Sequence, residues 1–113
     1  MMILKEPVSI AELTSIANEL YGDMVKAVAD VKNNVIAIDA ELHSDLERML
    51  LEEGSEQEDL WGFNIYPGME DEDFVEFDSL INIRPRQNNR SRSVEDEATR
   101  SKIIEIVNKF IIR

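Results

Sequence analysis

Met24-Val25-Lys26-Ala27-Val28-Ala29-Asp30-Val31-Lys32-Asn33-Asn34-Val35-Ile36-Ala37-Ile38-Asp39 decides the fold class. Val25, Ala27, Ala29 and Val31 alternate with Lys26 and Asp30, the period-two pattern of a strand with two unlike faces. Met24 to Val31 therefore reads as a first strand and Val35 to Asp39 as a second. Lys32-Asn33-Asn34 lies between them, and asparagine tolerates the positive φ of a tight hairpin turn.

Helices flank this hairpin. Upstream, Ser9 with Glu12 has the spacing of a capping box. Ile10, Leu13, Ile16, Ala17 and Leu20 then recur at helical intervals, and Gly22 can end the helix in a left-handed conformation. Downstream, Ser44 with Glu47 repeats the capping-box spacing. Leu46, Met49, Leu50 and Leu51 give this second helix a buried stripe that closes at Gly54.

Farther out, Leu60 to Tyr66 reads as a third strand, stopped by Pro67-Gly68. Gly62 within it marks a bulge or a close backbone approach. Glu70 to Asp73 is a solvated tip, and Phe74 to Arg84 reads as a fourth strand ended by Pro85. Arg86 to Ser93 has no apolar residue and reads as a loop. A last helix runs from about Val94 to Ile112, with Ile103, Ile104, Ile106, Val107, Phe110 and Ile111 inward. The predicted order is α-β-β-α-β-β-α. The expected fold is α+β, a single domain over residues 1–113. Its core would be one mostly antiparallel four-stranded sheet with the helices packed on one face.

Composition narrows the class. A chain of 113 residues with 43 % apolar content can bury a sizeable core. There is no cysteine, so neither disulfides nor thiolate metal sites exist, which fits a reducing compartment. No signal peptide and no membrane span is legible, so the expected location is cytoplasmic. The formal net charge of −12 disfavours nucleic acid and anionic membranes as partners. The charge is uneven: eleven acids and no Lys or Arg between Glu52 and Asp78, then four arginines and no acid between Arg84 and Arg92.

Strand alternation sorts the polar side chains. Lys26, Asp30, Asn64, Tyr66, Glu76, Asp78, Asn82 and Arg84 would gather on the sheet face opposite the helices. That face reads either as the wet side of an antiparallel sheet or as a ligand surface. Arg84-Pro85-Arg86-Gln87-Asn88-Asn89-Arg90-Ser91-Arg92-Ser93 leads into a helix N-terminus, where free amides and guanidinium groups favour an anion. The same arginines could equally neutralise Asp78 or Glu95-Asp96-Glu97 of the same chain. The loop lacks the glycines and the Lys-Ser/Thr ending of a phosphate loop.

His43 is the only histidine. It suits general acid/base work, with Asp78 or Asp59 orienting it, but most single histidines at helix starts have no chemical role. One histidine among carboxylates is a weak metal signature, and no metal site is assigned. The cofactor and the oligomeric state are not legible.

Several stretches together resemble a known family. They are Glu41-Leu42-His43-Ser44-Asp45, Gly54 to Pro67, Glu76 to Pro85, Asn89-Arg90-Ser91-Arg92 and Val94-Glu95-Asp96. The family they resemble is one of short prokaryotic proteins of unknown function, and the resemblance covers nearly the whole chain. Where glycine is common in that family this chain has Asp39-Ala40 and Asn88, which weighs against tight turns there. The resemblance implies no reaction.

Three functions stay open on the residues. The first is a binding module for a small anion or acidic ligand, with Arg84, Arg90 and Arg92 gripping it and Asn64, Tyr66 and Asn82 orienting it. The second is a hydrolytic enzyme using His43 with Asp78, metal-assisted or not. The third is a protein–protein interaction domain.

Overall fold

A computed structural model describes residues Met1–Arg113. Three strands form the centre of the sheet: β3 (Val25–Asp30), β4 (Val35–Ile38) and β5 (Leu60–Ile65). Two-residue strands close its edges, β1 (Met2–Ile3) beside β4 and β6 (Val75–Glu76) beside β5. The order is β1-β4-β3-β5-β6 and every pairing is antiparallel. The fold is thus α+β with a five-stranded sheet, where the sequence pattern predicts four strands. A separate pair, β2 (Val8–Ser9) and β7 (Ile111–Ile112), runs parallel.

The β3–β4 hairpin forms where its sequence places it. Asn34 takes φ +57° in the turn. Asp30 fixes that turn. Its carboxylate accepts from the Lys32 and Asn33 amides, the Asn33 side chain and the Ser55 hydroxyl. Burial works to raise the Asp30 pKa, but these four donors outweigh it and hold the carboxyl below its ordinary value.

Helix α1 (Ile10–Leu20) starts at Ser9, whose hydroxyl oxygen accepts from the Glu12 amide at 3.1 Å. Helix α3 (Glu97–Phe110) starts later than its apolar pattern predicts. Asp96 is its cap and accepts from the Thr99 amide at 2.9 Å. Helix α2 (His43–Glu52) also differs from expectation. Leu42 holds the cap position and no side chain caps the first amides, so the Ser44–Glu47 box does not form. Ser44 already lies inside the helix.

The helices cover both sheet faces, not one. Leu13 and Ala17 of α1, with Ile103, Ile106, Val107 and Phe110 of α3, pack on the face carrying Val25, Ala27, Ala29, Ile36, Ile38, Trp61, Phe63 and Ile65. Leu46 and Leu50 of α2 pack on the opposite face over Val28, Ala37, Ala40 and Leu60. Val28 and Leu60 lie on the face expected to be polar, and an apolar patch there needs its own cover.

The fourth strand ends after Glu76. The Asp78 amide turns back to the Glu76 carbonyl at 3.1 Å. Ser79 then opens a 3-10 turn over Leu80–Asn82, its hydroxyl oxygen accepting from the Ile81 amide. Beyond β6, the Asn82 side chain takes over the neighbouring-strand role. Its Oδ1 accepts from the Gly62 amide at 2.8 Å and its Nδ2 donates to the Gly62 carbonyl at 2.9 Å. The alternation of Phe77, Ile81 and Ile83 is therefore not a strand. Asp39 and Asn88 both adopt positive φ, +72° and +60°. Left-handed positions exist at both points although neither residue is glycine, since short polar side chains tolerate that region.

Candidate functional site

Helix α2 covers only part of the second face. It begins at His43, and beyond that point the sheet lies open. There Lys26 of β3, Asn64 of β5 and Glu76 of β6 are register partners in one row across three strands. This row, the start of α2 and the segment Asp78–Ile81 bound a cleft of about 550 Å³, which Tyr66 and Arg92 also line.

His43 is 7 % exposed, and its Nε2 lies 2.8 Å from the Phe63 carbonyl oxygen. A carbonyl only accepts, so Nε2 carries the proton and Nδ1 is bare in the neutral ring. Burial is the largest influence and pushes the His43 pKa down to about 4. The Lys26 charge pushes the same way, while the Phe63 carbonyl, Asn64 and Asp78 oppose it. The imidazole is therefore neutral at pH 7.

Glu76 organises the far side. Its Oε1 accepts from Asn64 Nδ2 and from the Tyr66 hydroxyl, both at 2.9 Å. Burial pushes the Tyr66 pKa up to about 12, and the bond to Glu76 and its charge add to that. Asp78 Oδ1 pairs with Arg92 Nε at 2.6 Å. Both side chains are about half exposed (41 % and 57 %), so the pair contributes little to stability. Lys26 has no carboxylate partner. Its ammonium lies 5.3 Å from the centre of the Tyr21 ring.

The structure thus brings His43, Asp78, Asn64, Tyr66 and Arg92 to one cleft, and places Asn82, Arg84 and Arg90 elsewhere. Asn82 is fully buried against Gly62. Arg84 lies over the Trp61 ring at 4.3 Å, and its guanidinium donates to the carbonyls of Ile81, Gln57 and Leu60. Arg90 is exposed. Its amide, with the Ser91 amide and hydroxyl, donates to the Glu95 carboxylate at 2.8–2.9 Å. Those bonds, from Ser91 first, hold the Glu95 carboxyl below its usual range. The backbone donors of this loop serve a carboxylate of the same chain, leaving Arg92 as its contribution to the cleft.

Strand alternation puts Lys26 and Glu76 on this face but gives them no role. Their signal is the register that sets them on either side of Asn64, and register requires strand order. Asn89 looks in the sequence like one more neutral donor. It is 3 % exposed, and its amide ties the loop together by donating to the carbonyls of Asn82, Ser91 and Ser93.

Metal-like spacing occurs elsewhere. Glu56, Glu58 and Asp59 place carboxylate oxygens within 4.8 Å of one another. Glu56 and Glu58 are exposed, His43 is not among them, and the group lies outside the cleft. No helix is long and apolar enough to cross a membrane.

Fold and site define an α+β protein whose sheet is covered on both faces except at one polar cleft. The chain belongs to the family described as "Protein of unknown function (DUF5674)", whose model matches residues 2–110. No curated protein and no solved structure matches it.

Proposed function

We propose that the chain acts as one domain that binds a small anionic ligand in the cleft beside Lys26 and the start of α2. The observation that carries this reading is Lys26. It is a cation with no carboxylate partner in a chain of net charge −12, and it lines the same cleft as the uncapped first turn of α2. Free helix amides and an unpaired ammonium together favour an anion. Asn64, Tyr66 and Arg92 orient the ligand. Arg84, Arg90 and Asn82 support the loop behind it.

Hydrolysis is the second reading. His43 and Asp78 share the cleft, and the imidazole is neutral with Nδ1 unprotonated. A base with a pKa about 4 is weak at neutral pH, however, and efficient general bases lie closer to 7. This favours binding over catalysis.

Titration calorimetry with acetate, phosphate and sulfate tests the binding reading. We expect saturable binding of at least one anion, weakened roughly tenfold, or about 1.4 kcal/mol, by Lys26→Met. No saturable binding, or an unchanged affinity in a folded Lys26→Met, overturns it.

A further inference from the structure

The cleft carries acceptors as well as donors, and they identify the ligand class more closely. Asn64 is 4 % exposed and lines the cleft. Its Nδ2 is used by Glu76, and its buried Oδ1 accepts from no protein group while the His43 ring is neutral, since the Asn64–His43 interaction favours the protonated ring. A buried acceptor left unpaired is costly, so a ligand donor that displaces the side chain shielding Oδ1 would be held strongly there. Turning the amide over does not resolve this, because it would set Oδ1 against the Glu76 carboxylate.

A carboxylate or a sulfate cannot supply that donor. Glu76 and Asp78 each present a second carboxylate oxygen that accepts nothing from the protein, since only Glu76 Oε1 and Asp78 Oδ1 are engaged. Lys26 and Glu76 flank Asn64 in the cross-strand row, one strand to either side. Adjacent strands lie about 4.8 Å apart, so a positive and a negative group bracket the amide within the span of one small molecule. Lys26 and Arg92 balance Glu76 and Asp78, so the cleft has no net charge although the chain is strongly acidic.

We propose that the ligand is a zwitterion, a small amino acid. Its carboxylate meets Lys26 and the first amides of α2, and its ammonium donates to Asn64 Oδ1 and the free oxygens of Glu76 and Asp78. The rim favours an apolar side chain on that ligand, since Leu42 and Leu80 border the cleft and are 57 % and 68 % exposed. This inference rests on the anion-binding reading and adds the ammonium half.

Three matched probes test it by titration calorimetry on the full chain. Leucine carries both charges, 4-methylpentanoate lacks the ammonium, and 3-methylbutylamine lacks the carboxylate. We expect leucine to bind at least tenfold more tightly than either analogue. Asn64→Leu removes the acceptor but also strips Glu76 of a partner and can fail to fold. Glu76→Gln, at an exposed position, serves as the second variant. It should shrink the preference for leucine over 4-methylpentanoate severalfold, weakening leucine through the lost ammonium partner and relieving repulsion on the carboxylate of both. Equal affinity for leucine and 4-methylpentanoate overturns the zwitterion and leaves the anion-binding reading standing. Equal affinity for leucine and 3-methylbutylamine overturns both, as does no binding of any probe or of phosphate. A Glu76→Gln variant that keeps the full preference for leucine overturns the assignment of the ammonium to this side of the cleft.

Discussion

His43 contributes to stability only while its ring stays neutral. Its folded pKa, about 4, lies below the ordinary value of 6.5. Between those values the unfolded chain binds a proton that the folded chain refuses, so folding stability falls as pH drops through that window. The full effect is about 3 kcal/mol, since each tenfold loss of proton affinity corresponds to about 1.4 kcal/mol. Many carboxylates titrate at the low end of the same range, so the clean measurement is a difference. Urea unfolding of wild type and His43→Leu at pH 7 and pH 4.5 should show wild type losing about 2 to 3 kcal/mol more than the variant. Equal losses would mean that burial does not lower the pKa of the ring.

Gly62 shows how one element decides another. A Cβ there would lie 2.6 Å from Ser79 Oγ and 2.7 Å from Ser79 Cβ. The segment after β6 therefore packs directly on β5 at a point where only glycine fits. Gly62→Ala should destabilise the protein by about 1 to 3 kcal/mol by overpacking. Adding Ser79→Gly should recover part of that loss, which thermal melts of the single and double variants would show. A Gly62→Ala variant as stable as wild type would mean that Ser79 is free to move. Close approach at Gly62 is one of two readings open from the sequence, and the structure selects it. The capped start of α1 and the β3–β4 hairpin were legible because each depends on neighbours within a few residues. The 77–84 segment was not. Its apolar spacing imitates a strand, and what turns it aside is Asn82 reaching Gly62, a contact 20 residues long.

Across the whole molecule, the α+β class and the three helices were legible, but the layering was not. Val28 and Leu60 require cover on the second face, yet on that face Val28 stands between Lys26 and Asp30 and Leu60 is followed by Gly62 and Asn64, and the two come together only through strand order. The cleft follows from the same fact, because α2 covers the apolar part of that face and leaves the Lys26–Asn64–Glu76 row open. For the arginine loop, pairing with Asp78 or Glu95 of the same chain was one of two readings open from the sequence; that Glu95 would take backbone amides rather than a guanidinium was not legible. The charge also acts at this scale. A net charge of −12 with only four ion pairs leaves self-repulsion that salt should screen. Raising sodium chloride from about 20 to about 500 mM should lift the melting temperature by a few degrees. A fall would show that the ion pairs outweigh the repulsion.

The sheet margins bear on how the protein behaves in a crowded solution. An exposed strand edge is a template on which another chain can pair, and its reach grows with its length. Here each outer strand is two residues long. Where β6 stops, the next backbone donor and acceptor along β5 are already taken by the Asn82 amide. A side chain of the protein thus stands in for the strand that an invading copy would supply. At that edge a single carboxamide closes the place where edge-to-edge growth would start.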